Sequence, residues 1–237
     1  QEIYGIHNLP GVPTGELLTR SGVICSSESL FEIKIKGMGG HSSMPQLGRD
    51  AITIGSEVVQ ALQTIISRRI GSGSGAVVSV TEFISNGQRN VLPGETILKG
   101  DVRTRRPDDR KKIELFLNQI SNGIASAHDI EIEVSFETEF IETINHIKPT
   151  EAVLKTAKKS GLKITDCKPM SFSEDFAHFS NAVPGCFFLL GNGIDGANNK
   201  PLHSSDYDFN DDLLPIGADF WANLAKNRLS TEGSNSV

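Results

Sequence analysis

Only three cysteines occur in the 237 residues, Cys25, Cys167 and Cys186, and they are widely spaced, odd in number and outside any Cys-x-x-Cys pairing. That excludes a disulfide scaffold and a zinc ribbon and suits a reducing compartment, so a cytoplasmic protein is expected. No apolar run approaches the roughly 20 residues that a membrane helix needs. A formal net charge of −6, a sequence pI near 5.5 and the lack of a basic stripe argue against a nucleic-acid binder. A Walker loop, a GxSxG elbow and an HExxH pair are all missing. With them go the short signatures of P-loop nucleotide binding, serine-hydrolase chemistry and single-helix zinc proteolysis. There is no starting methionine and no signal peptide; the chain opens at Gln1, almost inside the strand-like Ile3-Tyr4-Gly5-Ile6. A segment upstream of Gln1 is therefore expected to be missing.

What is present is a soluble globular composition, 38% hydrophobic and 22% charged, long enough for one large domain or two modest ones. From residue 29 to 143 the pattern is β-α-β-β-α-β. Phe31, Ile33 and Ile35 alternate with Glu32, Lys34 and Lys36, a strand with one wet face. A helix is expected from Asp50 to about Arg68, its apolar face carried by Ile52, Gly55, Val58, Val59, Leu62, Ile65 and Ile66. Strands follow at 76–84 and 95–104. Pro107 with Asp108 and Asp109 then starts a helix whose buried stripe is Ile113, Phe116, Leu117, Ile120 and Ile124. The alternating strand 130–136 closes a ferredoxin-like unit. The flanks, 1–28 and 144–237, are each too short to fold alone. They read as two pieces of one α/β domain into which the ferredoxin-like unit is inserted. Thr150 is expected to cap a helix ending at Gly161, Cys186–Leu190 to be a strand covered on both faces, and Asn210 to open a last helix with Leu213, Leu214, Gly217, Phe220, Trp221 and Leu224 turned inward. After Arg228 the polar tail is expected to be disordered.

Residues able to do chemistry sit in loops beside turn formers. His7 ends the first strand, His41 follows Gly39-Gly40, Asn90 precedes Val-Leu-Pro-Gly, Arg103 lies on the third strand of the unit, and Glu174 and Asp175 open Ser-Glu-Asp-Phe. His203 sits in the polar stretch NKPLHSSDYDFND. Each has a plainer reading. A loop histidine is most often a surface hydrogen-bonding group. Asn90 reads as a turn residue, Arg103 as a partner of Asp101 or Glu95, and Ser173 as a helix cap followed by dipole-favourable acids. His128, His146 and His178 read as structural.

Six segments together go further. YGIHNLPGVPTG, GMGGHSSMPQLGRDAI, RNVLPGE, GDVRTRRP, SEDFAHF…VPGCFFLLG and PLHSSDYDFND resemble, in order and spacing, the N-acyl-amino-acid amidohydrolases of the hippurate hydrolase and auxin-conjugate hydrolase type. These belong to the aminoacylase and carboxypeptidase class of dinuclear metallopeptidases. The resemblance implies an α/β catalytic domain holding two divalent ions (zinc, or manganese, cobalt or nickel) and a ferredoxin-like lid through which a homodimer forms. It implies His7 and His203 as metal ligands and His41 as the catalytic group that stabilises the oxyanion in the partner subunit's site. Asn90 and Arg103 would contact a small N-acyl amino acid or peptide substrate, with Glu174 and Asp175 around His203. Imidazole suits such ions, and a divalent ion activates water for attack on an amide. The remaining ligands and the general base of that class, from His-x-Cys-Gly-His and Glu-Glu-Gly segments, do not occur in this sequence. The chain is therefore expected to be a C-terminal portion, about the last three-fifths of such an enzyme, inactive by itself. The competing expectation is a non-catalytic ferredoxin-like module for dimerisation or small-ligand binding. Convergence of His7 and His203 would separate the two.

Overall fold

The computed structural model describes residues 1–229. The tail expected to be disordered lies, from Ser230 on, outside the described residues. The chain divides into two compact units. Unit 1 comprises Gln1–Cys25, Thr143–Met170 and the chain from Glu174 on; unit 2 comprises Ser26–Glu142 and Ser171–Ser173.

In chain order unit 1 begins with strands β1 (Ile3–Pro10), β2 (Leu17–Leu18) and β3 (Gly22–Cys25). Unit 2 then supplies β4 (Glu28–Lys36), β5 (Gly40–His41), α1 (Ala51–Thr64), β6 (Val77–Ser85), β7 (Val91–Leu92), β8 (Glu95–Arg103), α2 (Pro107–His128) and β9 (Glu131–Phe140). Unit 1 resumes with β10 (Thr143–Asn145), α3 (Ile147–Lys159), β11 (Ile164–Thr165), α4 (Phe176–Ala182), β12 (Gly185–Gly193) and α5 (Leu213–Leu229). No helix among the described residues is long and apolar enough to cross a membrane.

Unit 2 is a mixed α/β body built on a four-stranded antiparallel sheet of order β6-β8-β4-β9, the strand order of a ferredoxin-like fold. The alternation in β4 sends Phe31, Ile33 and Ile35 to the helix side. There they join Leu98, Val102 and Ile132 of the sheet and Val58, Leu62, Ile113 and Leu117 of the helices in one core. The other face carries the cross-strand pairs Lys34–Glu95 (2.9 Å), Lys99–Glu32 (3.3 Å) and Lys36–Glu131 (3.4 Å). Exposed pairs of this kind add little stability; they keep the face wet. Gly100 stands in register with Phe31, and a Cβ there would lie 2.2 Å from both the Phe31 ring and the Ser79 carbonyl. The flat packing of Phe31 on β8 therefore requires glycine.

Asp50 caps α1, accepting from the Ile52 amide (3.0 Å) and the Thr53 hydroxyl (2.6 Å), and a π-turn at Ile65–Arg69 ends it. The expected face is shifted by one flank. Ile54 is buried, whereas Ile52 is 41% exposed. Ile54, Val58, Leu62 and Ile65 follow the i, i+4, i+8, i+11 course toward the sheet; Ile52, Val59 and Ile66 form a second apolar edge beside it. α2 begins as expected at Pro107 and ends at Asp129, which adopts the left-handed conformation (φ 53°). His128, read as structural, joins the helices through Glu57 at 2.7 Å.

In unit 1 β12 is the strand around which the rest is arranged. All nine of its residues are buried, as the continuous apolar run predicts. It pairs parallel with β1 and antiparallel with β2, and β2 pairs parallel with β11. On one face Cys186, Phe188 and Leu190 meet Val153 and Ala157 of α3 and Leu213, Phe220 and Leu224 of α5. On the other, Phe187 meets Phe176 of α4 with ring centroids 5.5 Å apart. One helix boundary and one helix face differ from expectation. α3 starts at Ile147 with His146 in the cap position, and Thr150 lies inside the first turn, its hydroxyl donating back to the His146 carbonyl (2.8 Å). Leu214 of α5 is 60% exposed; only Leu213, Phe220 and Leu224 are fully covered.

Glu2 ties the two ends of unit 1 together. It accepts from Tyr4 (2.7 Å) and from Arg228 through two hydrogen bonds (2.7 and 2.8 Å). Burial pushes the Glu2 carboxyl up, but the bonds from Tyr4 and Arg228 outweigh it and hold the group below its ordinary value of about 4.5. A depressed acid contributes stability above its unfolded pKa and loses it as pH falls through the folded one. Glu2→Gln is therefore expected to destabilise the protein at neutral pH, with the difference from wild type shrinking below about pH 4.5; denaturant titrations across pH check this.

Candidate functional site

β1 presents His7 at the carboxyl half of a parallel strand pair, in register with Leu189 of β12. Its Nδ1 lies 2.6 Å from the carbonyl oxygen of Asn8. A carbonyl only accepts, so Nδ1 carries the proton and, in the neutral ring, Nε2 keeps its lone pair. That is the disposition of a metal-binding imidazole whose other nitrogen is anchored by the protein.

His203 is exposed and lies on the loop between β12 and α5. Its φ of 65° is left-handed, a conformation costing about 1–3 kcal/mol outside glycine and held only when its surroundings impose it. The turn is closed by the Ser204 amide on the Pro201 carbonyl (3.1 Å) and the Tyr207 amide on the Ser204 carbonyl (3.1 Å). Asp206 adds contacts to Ser204 and Lys200. The loop is tied to β1 immediately beyond His7: the Asn8 amide nitrogen donates to the Tyr207 hydroxyl (2.5 Å) and to Asn192 Oδ1 (3.1 Å). Asn192, fully buried at the end of β12, also accepts from the Asn210 amide (3.0 Å) and donates to the carbonyls of Asn198 (2.8 Å) and Asp208 (3.4 Å). The strand bearing His7 and the loop bearing His203 are thus held by one buried carboxamide.

α4 approaches β1 because residue 5 is glycine; a Cβ there would stand 2.7 Å from the Phe176 ring. This close packing brings in Glu174. Burial pushes its carboxyl up, the His7 imidazole pulls it down and Asp175 pushes it up again. Sequence reasoning put Glu174 and Asp175 around His203, whereas the imidazole that acts on Glu174 is His7. The cap position of α4 is Asp175, which makes no side-chain cap bond. Ser173 does not cap the helix either; it donates to Glu28 (2.7 Å). Beside His7 an apolar cavity of about 450 Å³ opens between β1 and α5, walled by Ile6, Leu190, Leu213, Leu214 and Trp221.

Two imidazoles with the tautomer and backbone described fit a divalent ion in donor chemistry, but they are fewer than the three protein ligands of a catalytic zinc. Among the described residues no three His, Cys, Asp or Glu side chains stand together as a metal-binding group.

The other named residues belong to unit 2. The short β5–β7 ladder pairs His41 with Val91, and the Ser42 amide donates to the Asn90 carbonyl (3.1 Å), so His41 and Asn90 lie side by side. Arg103 is elsewhere. It ends β8, which Asn90 precedes, and the nine residues of that strand span roughly 27 Å at about 3.4 Å per step. Its guanidinium donates to Asp101 (2.8 Å), Glu28 (2.6 Å) and Ser173 (3.3 Å). The plainer reading, a partner of Asp101, is met; Glu95 pairs with Lys34 instead. Sequence reasoning passed over Asn8, Tyr207 and Asn192. Asn8 and Tyr207 stood inside the quoted motifs, but Asn192, a polar residue closing an apolar run, gave no signal.

Comparison with known proteins identifies the class and then the family. Residues 29–129 match the peptidase dimerisation domain of the M20 family. The chain is 31% identical over 231 residues to N-acetyldiaminopimelate deacetylase of Leuconostoc mesenteroides, covering 97% of this chain and 59% of that protein. It is 32% identical over 226 residues to hippurate hydrolase of Campylobacter jejuni, covering 94% and 58%. Among solved structures, a Staphylococcus aureus protein assigned as an aminohydrolase superposes with a TM-score of 0.88 at 29% identity, over 94% of this chain and 58% of that one. A dinuclear metal-binding peptidase of the M20 family from Bacillus subtilis shares the fold, with a TM-score of 0.77 at 24% identity over 94% and 56%. These relatives are amide-hydrolysing enzymes by name, as the six segments led one to expect. The chain belongs to the M20 family and spans about three-fifths of the length of the relatives it matches.

Replacing Asn192 by alanine strands the amides and carbonyls it now serves. A loss of about 1–3 kcal/mol per buried group left unpaired is expected, with faster hydrogen exchange at Asn210 than in wild type as the check.

Proposed function

We propose that this chain supplies His7 and His203 to a dinuclear metal centre that hydrolyses the amide bond of N-acyl amino acids or small peptides. The observation that carries the reading is the Nδ1–H of His7 on the Asn8 carbonyl (2.6 Å), which leaves Nε2 as a ligand, while Asn8 holds the loop of His203 through Tyr207 (2.5 Å). Bound zinc, or manganese, cobalt or nickel, supplies Lewis acidity and an activated water. The further ligands and the general base are absent from this sequence, so the chain alone is inactive. Glu174 and Asp175 act as outer carboxylates of the centre, Glu174 against His7.

His41 donates to the oxyanion and Asn90 to the substrate, both in the site of a second copy, and Arg103 also contacts substrate. Roughly 27 Å of β8 lies between Arg103 and the strand end that follows Asn90, so a single copy of unit 2 does not bring both to one small substrate. To grip a substrate carboxylate, Arg103 exchanges one of its present partners, Glu28 or Asp101. The homodimer forms through β6, an edge strand that leaves Val77, Phe83 and Ile84 more than 40% exposed and is flanked by the exposed Ile52 of α1. Three buried free cysteines suit the cytoplasm.

Titrating the chain with cobalt(II) while following the histidine ring signals tests the centre. His7 and His203 are expected to respond together with one saturation point, and His128 and His146 not at all. Independent responses would favour the dimerisation-module reading. In a chimera carrying this chain in place of the matched region of Campylobacter jejuni hippurate hydrolase, chelator-sensitive hydrolysis of N-acyl amino acids is expected. His41→Ala should lower kcat about 10²–10³-fold, as loss of an oxyanion donor does.

A further inference from the structure

His41 and His7 each have one ring nitrogen held by neighbouring backbone, in opposite senses. The backbone amide of Ser43 lies 3.1 Å from His41 Nδ1, and the Ser43 hydroxyl lies 2.8 Å from the same atom. An amide N–H can only donate. Nδ1 is therefore the acceptor, the hydroxyl turns its proton the same way, and the proton of the neutral ring resides on Nε2. For His7 the facing atom is a carbonyl, and the proton sits on Nδ1.

The backbone around His41 leaves this arrangement little freedom. β5 pairs His41 with Val91, the Met44 amide donates to the His41 carbonyl (2.9 Å) and the Ser42 amide to the Asn90 carbonyl (3.1 Å). Residues 41–44 form a tight turn that puts Ser43 under the ring of His41. The ring itself is exposed, so the nitrogen opposite Nδ1 is left for a partner group.

We propose that Ser43 is a positioning residue that presets His41 as an Nε2–H hydrogen-bond donor. This rests on the amide-hydrolysis reading of His41, because a group that stabilises a developing oxyanion has to present a proton, and a lone pair there would repel it. Ser43 spares the ring a tautomer change and a reorientation when the negative charge appears. The same chain thereby prepares one imidazole as a ligand and another as a donor.

The experiment is ring-nitrogen NMR on the ¹⁵N-labelled chain at a pH where the imidazoles are neutral, without metal or substrate. His41 is expected with a bare Nδ1 and a protonated Nε2, and His7 with the reverse pattern in the same spectrum. Ser43→Ala removes one of the two donors and should raise the minor tautomer of His41 about fivefold, the worth of one hydrogen bond. Ser43→Thr restores the ratio, and His7 does not change in either variant. A proton on Nδ1 of His41, or a tautomer ratio that Ser43→Ala leaves unmoved, overturns the proposal. Since neither metal nor turnover enters the measurement, a failed cobalt titration would sink the metal centre and leave this result standing.

Discussion

Asn192 closes a strand of nine buried residues with a side chain that carries two donors and an acceptor, and none of these atoms can reach bulk water. A buried carboxamide left unpaired costs more than it returns when paired, so its bonds are obligatory. In this fold the partners available to it are Asn8 of β1, the carbonyls of Asn198 and Asp208, and the amide of Asn210. Satisfying one polar group therefore folds the loop from residue 198 to 210 onto the strand that carries His7. The candidate site is a consequence of that accounting.

The same economy governs the imidazoles. A neutral histidine has one donor and one acceptor, and its neighbours decide which nitrogen is which. Next to His7 the chain offers a carbonyl; next to His41 it offers an amide N–H and a hydroxyl. Two chemically identical side chains, when neutral, are left with opposite free nitrogens, a bare Nε2 in His7 and a protonated one in His41, by the groups that face their Nδ1 atoms. Gly5 and Gly100 contribute in a cruder way, by having nothing where a Cβ would strike Phe176 or Phe31. Phe176 can then pack on β1, which brings Glu174 to His7.

Much of the fold was legible beforehand. Alternation in residues 31–36 and 130–136, Pro107 with its two following aspartates, and the apolar run at 186–190 each name an element, because the burial that makes the element also dictates its residue pattern. The errors are of one kind. Ile52, Leu214 and Thr150 were misassigned because a hydrophobic residue at a helical spacing, or a hydroxyl near a helix start, is compatible with more than one phase. Which phase wins depends on the body packed against it. Ser173 likewise had a plausible local role as a cap, and a carboxylate distant in sequence, Glu28, took it instead.

For the site, residue types and motif order named His7, His41, Asn90, Arg103, Glu174, Asp175 and His203 as candidates, and the order of the motifs carried the family resemblance that the relatives bear out. The amino-acid sequence by itself determined which groups are available and in which loops, since turn chemistry and hydrophobic period are local properties. The tertiary structure alone decided which of those groups meet, which nitrogen His7 and His41 each leave free, and that Arg103 stands at the far end of β8 from the turn that carries Asn90. Those are matters of hydrogen-bond partners and distances between segments far apart in the chain, and no local pattern encodes them.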